Sequence, residues 1–95
     1  MYDYKELNKF ADGLWRRGFA IEARDVWGGK QAVARDKDGN YVGDAILHNG
    51  SYGHENNLIE IMGFDINDEE DGDEVVGYLT AEEALEYVDR YLGRK

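Results

Sequence analysis

An α+β fold is what the sequence predicts: an antiparallel sheet of four to five strands with a helix from each end of the chain packed on one face. Three observations lead there. Helical periodicity marks both ends, apolar residues alternate in the stretches between, and twelve glycines with no proline supply turns suited to hairpins. The expected order is α-β-β-β-β-(β)-α, a meander whose second face is left partly wet.

The first helix is expected from Tyr4 to Arg17, because Leu7, Phe10, Ala11, Leu14 and Trp15 recur at spacings of three and four. Asp3 is placed as its N-cap with Glu6 completing a box, Gly18 as its stop, and Trp15 in the core. From Phe19 the period changes to two, with Phe19, Ile21 and Ala23 set against Ala20, Glu22 and Arg24. Gly28-Gly29 then reads as a two-residue turn into Lys30 to Asp36, and Asp38-Gly39 as a second into Tyr41 to His48. With both turns of that length, Ala23, Ala34 and Gly43 fall side by side, leaving room for a close helix. After a polar loop from His48 to Asn57, the apolar runs Leu58 to Phe64 and Val75 to Leu79 make the remaining strands. Thr80 and Glu83 form a capping box for the last helix, whose apolar face carries Ala81, Ala84, Leu85, Val88, Tyr91 and Leu92.

A length of 95 residues fits one domain over residues 1–95. The chain has no cysteine, which excludes a disulfide scaffold and a thiolate metal site. It has no secretory leader or membrane-spanning apolar stretch, so a cytoplasmic setting is expected.

Charge is the most informative feature. Residues 1–37 hold eight Lys or Arg against six acids, whereas residues 38–89 hold fifteen acids and no Lys or Arg, within a net charge of −10. A stretch lacking cations cannot neutralise itself, so folding concentrates negative potential on the elements it supplies. The densest parts are the run Asp65, Asp68, Glu69, Glu70, Asp71, Asp73 and Glu74, and the outer face of the last helix with Glu82, Glu83, Glu86 and Asp89. These residues are the expected partner-binding surface, and Trp27 beside its turn is either an interface anchor or packed across the hairpin. Direct nucleic-acid binding is disfavoured, because phosphate backbones require clustered Lys and Arg.

In small size, absence of cysteine and the acidic residues 65–74, the chain resembles phage-encoded anti-CRISPR proteins that act as DNA mimics. The resemblance implies a non-enzymatic inhibitor in the host cytoplasm, occupying the basic groove of a nucleic-acid-handling partner such as a CRISPR effector. The alternative is a small housekeeping or regulatory interaction domain whose acidity serves only solubility.

No cofactor, metal or catalytic residue is expected. Asp36, Asp38 and Asn40 have the spacing that opens a calcium loop, but Tyr41, Gly43 and Leu47 occupy its sixth, eighth and twelfth positions, so a hairpin explains them better. Asn67, Glu69, Asp71 and Gly72 make a second fragment that ends on Tyr78 instead of an acid. His48, Ser51, His54 and Glu55 lie close in sequence, yet one polar loop cannot hold nucleophile and base on separate rigid elements, and a zinc site needs further ligands.

Overall fold

The protein is described from a computed structural model covering residues 1–66 and 75–94. Its elements are α1 (Lys5–Arg16), β1 (Ala20–Val26), β2 (Gly29–Arg35), β3 (Tyr41–Leu47), a 3-10 turn (His54–Asn56), β4 (Ile59–Gly63), β5 (Val75–Leu79) and α2 (Ala81–Gly93). The five strands form one antiparallel sheet in the order β1-β2-β3-β4-β5, with each strand beside its sequence neighbour. Both helices lie on the same face. Leu7, Phe10 and Leu14 of α1 and Ala84, Val88 and Tyr91 of α2 share one core with Ala32, Ala34, Ala45, Leu47, Ile59 and Ile61 of the sheet.

Local chemistry sets the helix ends. Gly18, at φ +95°, follows α1, and Gly18 N–H and Phe19 N–H donate to the carbonyls of Trp15 and Leu14, closing the last turn. At the start of α2 the capping box forms as its sequence predicts, with Glu83 N–H donating to Thr80 Oγ1 and Thr80 N–H to Glu83 Oε1.

The start of α1 differs from expectation. Tyr4 is the N-cap and Asp3 accepts from Lys5 N–H. Glu6 leaves its own helix and accepts from Ala81 N–H at 2.8 Å, so one acid ties the first turns of the two helices together. Trp15 is also displaced from its expected core position and is 68% exposed. It lies about 100° around the helix from Leu14. Gly13 faces α2 instead, where a Cβ would fall 2.6 Å from Leu85 Cδ1, so helix contact takes the space beside Leu14.

Two turns correct the expected register. The β1–β2 turn is Trp27-Gly28, with φ values of +30° and +74°, and Val26 pairs with Gly29. Ala23 therefore lies opposite Ala32, not Ala34, and the slip of two residues keeps every side chain on its predicted face. The β2–β3 connection is longer than two residues. Asp36 N–H donates to Asn40 O, Asp36 Oδ1 accepts from the amides of Asp38 and Asn40, and a bulge follows Ala34. Loop and bulge together restore the expected pairing of Ala34 with Gly43.

Candidate interaction surface

The expected acidic surface is only partly within the described residues. Asp68, Glu69, Glu70, Asp71, Asp73 and Glu74 lie outside them. Asp65 is exposed, while its neighbour Ile66 is buried in the core.

On α2 the four acids separate by partner. Glu83 is engaged in the capping box, and the Thr80 amide and hydroxyl hold its carboxyl below the usual range. Asp89 accepts a bidentate pair from Arg17, at 2.6 Å from Nε and 3.0 Å from Nη2, which lowers its pKa and joins the end of α1 to α2. Glu86 lies 4.0 Å from Arg90, and Glu82 is exposed. Glu83 and Asp89 therefore have structural partners, and Glu82 and Glu86 form the more open part of the array.

Among the described residues, four of the six Lys or Arg ion pairs connect groups within residues 12–35: Arg16 with Asp12, Arg24 and Arg35 with Glu22, and Lys30 with Asp25. Four of the eight cations of residues 1–37 thus pair with acids of the same stretch, Arg24 and Arg35 sharing Glu22, while Arg17 reaches Asp89. Of the described acids in residues 38–89, only Glu86 and Asp89 lie within 4.0 Å of a described Lys or Arg.

The histidine loop is organised by turn chemistry. Ser51 Oγ accepts from His48 N–H and donates to His48 O, and His48 Nδ1 accepts from Gly50 N–H, so neither histidine activates the serine. His54 instead meets Tyr2, whose hydroxyl lies 3.2 Å from Nδ1 and also donates to Asn49. Among the described residues no group of three or more potential ligands can hold a metal ion. Trp27 is 70% exposed at its turn, with its ring against His48 and over Gly50, where a Cβ would lie 2.2 Å from the indole. It braces the 48–50 loop while keeping much of its surface open.

A second surface, not singled out in the sequence, lies on the sheet face away from the helices. The register sets Glu22, Val33, Asp44, Met62 and Val75 in one row, and Arg24, Gln31, Ile46 and Glu60 in the next. Asp44 and Glu60 are buried here, at 6% and 8% exposure. Asp44 is held by Tyr41 Oη and Gln31 Nε2, and Glu60 Oε1 accepts from Tyr52 N–H at 2.9 Å. Tyr52 stacks on Tyr78, and its carbonyl accepts from Tyr78 N–H, so the 48–57 loop is fastened over β5 beside Glu60. Only the alternating pattern signalled this face, because pairing and a distant loop bring its residues together.

Partial burial of the half-exposed side chain first, and then the bond to Asp44, push the Tyr41 phenol well above its ordinary pKa of 10.0. The folded state favours the neutral phenol, so this stabilisation is full below pH 10.0 and lost as pH rises toward the folded value. In an alkaline absorbance titration, one of the seven tyrosines should ionise after the others, and Tyr41→Phe should remove that late step. Persistence of the late step in Tyr41→Phe would assign it elsewhere.

No described helix is long and apolar enough to cross a membrane. Comparison of the chain with protein-family models, curated proteins and solved structures finds no match.

Proposed function

We propose that the protein is a non-enzymatic binding protein that presents uncompensated carboxylates to the basic groove of a nucleic-acid-handling partner and thereby inhibits it. The observation that carries this reading is the partition of ion pairs. Four of the eight cations in residues 1–37 are held by acids of their own stretch, and the fifteen acids of residues 38–89 have no Lys or Arg within theirs. Such a surface attracts a groove built for phosphates through the same long-range field. The partner class favoured is one that binds DNA or RNA, a CRISPR effector being the case suggested by resemblance.

The competing reading, acidity for solubility alone, is favoured on α2 by the structural roles of Glu83 and Asp89. The test therefore leaves those two intact. A variant in which Asp68, Glu69, Glu70, Asp71, Glu82 and Glu86 become Asn or Gln should keep or raise its thermal stability, because like-charge repulsion falls without opening the core. As bait in a native-host pull-down, the unaltered protein should retain a nucleic-acid-binding protein. Retention should fall as salt rises from about 50 to about 500 mM, over which the screening length drops from about 13 Å to about 4 Å. Excess DNA should compete, and the neutralised variant should associate more slowly. Equal retention of the partner by both baits at every salt concentration would reduce the acidic array to solubilising surface.

A further inference from the structure

The open sheet face holds two buried carboxylates, and among the described residues neither is in ion-pair contact with a cation. Asp44 and Glu60 occupy diagonal positions on β3 and β4, since Asp44 pairs with Met62 and Ile46 with Glu60. Such diagonal residues stand about 7–8 Å apart at their Cα atoms, within reach of one planar side chain laid between them. Both side chains are more than nine-tenths buried, and their protein donors are neutral: a phenol, an amide side chain and a backbone N–H. Among the described residues no Lys, Arg or His lies within 4.0 Å of either. The cations of this face, Arg24 and Arg35, are both paired with Glu22 at its β1 edge, and Arg24 also attracts Asp44 from beyond ion-pair distance. Buried carboxylates are ordinarily matched by a cation or a metal, so the face carries more carboxylate than cation at its centre, most of all at Glu60.

The surroundings of these carboxylates have the composition of an interface. Tyr41, Tyr52, Tyr78 and Met62 are 49%, 57%, 57% and 43% exposed, and they border the two carboxylates on several sides. A single exposed apolar residue is ordinary surface, but tyrosine and methionine grouped on one sheet face are typical of protein contacts. Tyr78 keeps its ring outward at a bulge in β5, at φ +58°, and its ring stacks with Tyr52.

We propose that the open sheet face is a docking surface for an arginine-bearing segment of a basic partner protein, with a guanidinium lying against Tyr78 and Met62 and directed at Glu60 and Asp44. Arginine fits better than lysine, because its planar group stacks on aromatic rings and donates to carboxylates in the same pose. A second copy of the chain fits poorly, since it would bring the same buried carboxylates to an already acidic molecule. The proposal rests on the reading that the partner is basic. It assigns the specific contact to the sheet, leaving the acidic array to steer the approach.

The test is a ¹⁵N-resolved NMR titration of the full chain with an arginine-rich peptide, and with a copy carrying lysine in place of arginine. The arginine peptide should shift Gln31, Asp44, Ile46, Glu60, Met62 and Tyr78, and should bind more tightly than the lysine copy. Met62→Lys, which places a like charge on the approach path of the peptide, should weaken arginine-peptide binding by about tenfold, whereas Asn8→Lys, the same charge on the exposed side of α1, should leave it unchanged. Equal thermal stability of the two variants separates this effect from unfolding. Shifts confined to α2 and residues 65–74 would overturn the sheet-face site while leaving the acidic-surface reading standing. Unimpaired binding by Met62→Lys, or no binding of either peptide, would also overturn the site, whatever the pull-down retains.

Discussion

Replacing Phe64 with Ala should lower the unfolding free energy by about 3–5 kcal/mol, a large part of the roughly 5–15 kcal/mol typical of a small domain. Phe64 is fully buried, and its ring meets those of Phe10, Phe19 and Tyr91 edge-on at 6.2, 6.1 and 6.1 Å. It thus joins α1, the entry to β1 and α2 over one point of the sheet. That point is cleared for it, because a Cβ on Gly43 would fall 2.4 Å from the Phe64 ring. The backbone beneath is unusual, with Gly63, Phe64 and Asp65 at φ +87°, +53° and +55°. Each non-glycine residue in that region costs about 1–2 kcal/mol, and ring packing offsets the cost at Phe64. Ala loses the packing and keeps the cost. Phe64→Gly loses the same ring but escapes the positive-φ cost, so it should be no less stable than Phe64→Ala. Urea midpoints, with slopes unchanged, measure both differences. A loss below about 1 kcal/mol for Phe64→Ala, the average effect of a point substitution, would remove Phe64 from the centre of the core.

Much of this architecture was legible in the sequence, since periodicity reports which face of an element is apolar. α2 is the clearest case: its capping box and apolar stripe are local signals, and Ala81, Ala84, Val88 and Tyr91 are buried. The strands and their inward faces follow for the same reason. What failed depended on contacts between elements. Trp15 has helical spacing that suits a core residue, but the approach of α2 at Gly13 fixes the buried stripe one residue away. Glu6 has the spacing of a self-capping acid, yet its nearest unsatisfied amide belongs to Ala81, seventy-five positions on. The acidic run could be read as charge without structure. Asp44 and Glu60 could not be recognised as neighbours, because each is one polar residue in an alternating strand until the pairing of β3 with β4 is known.

Gly29→Ala should be strongly destabilising, and it tests the β2–β3 register of the open face. An added Cβ would lie 1.9 Å from Leu47 O and 2.7 Å from His48 Cα. These are backbone atoms, and Leu47 pairs with Lys30 immediately beyond Gly29, so relief requires lifting the end of β3 away from β2. Rotation of a side chain cannot supply it. Overpacking of this kind costs about 1–3 kcal/mol, and the backbone clash puts Gly29→Ala at the upper end. Gly93→Ala is the internal control. Its Cβ would meet nothing within 4 Å, so it should be neutral or slightly stabilising in the last turn of α2. The effect should also be local in a readable way. Trp27, one turn position before Gly28, rests on His48 and Gly50, so movement of β3 at His48 should change its fluorescence before global unfolding. Thermal denaturation of both variants, with tryptophan emission recorded below the transition, gives the comparison. If Gly29→Ala matched Gly93→Ala in stability, Leu47 O could not sit against Gly29. The pairing of Lys30 with Leu47 would then be wrong, and with it the placement of Gln31 beside Ile46 and Asp44 on the open face.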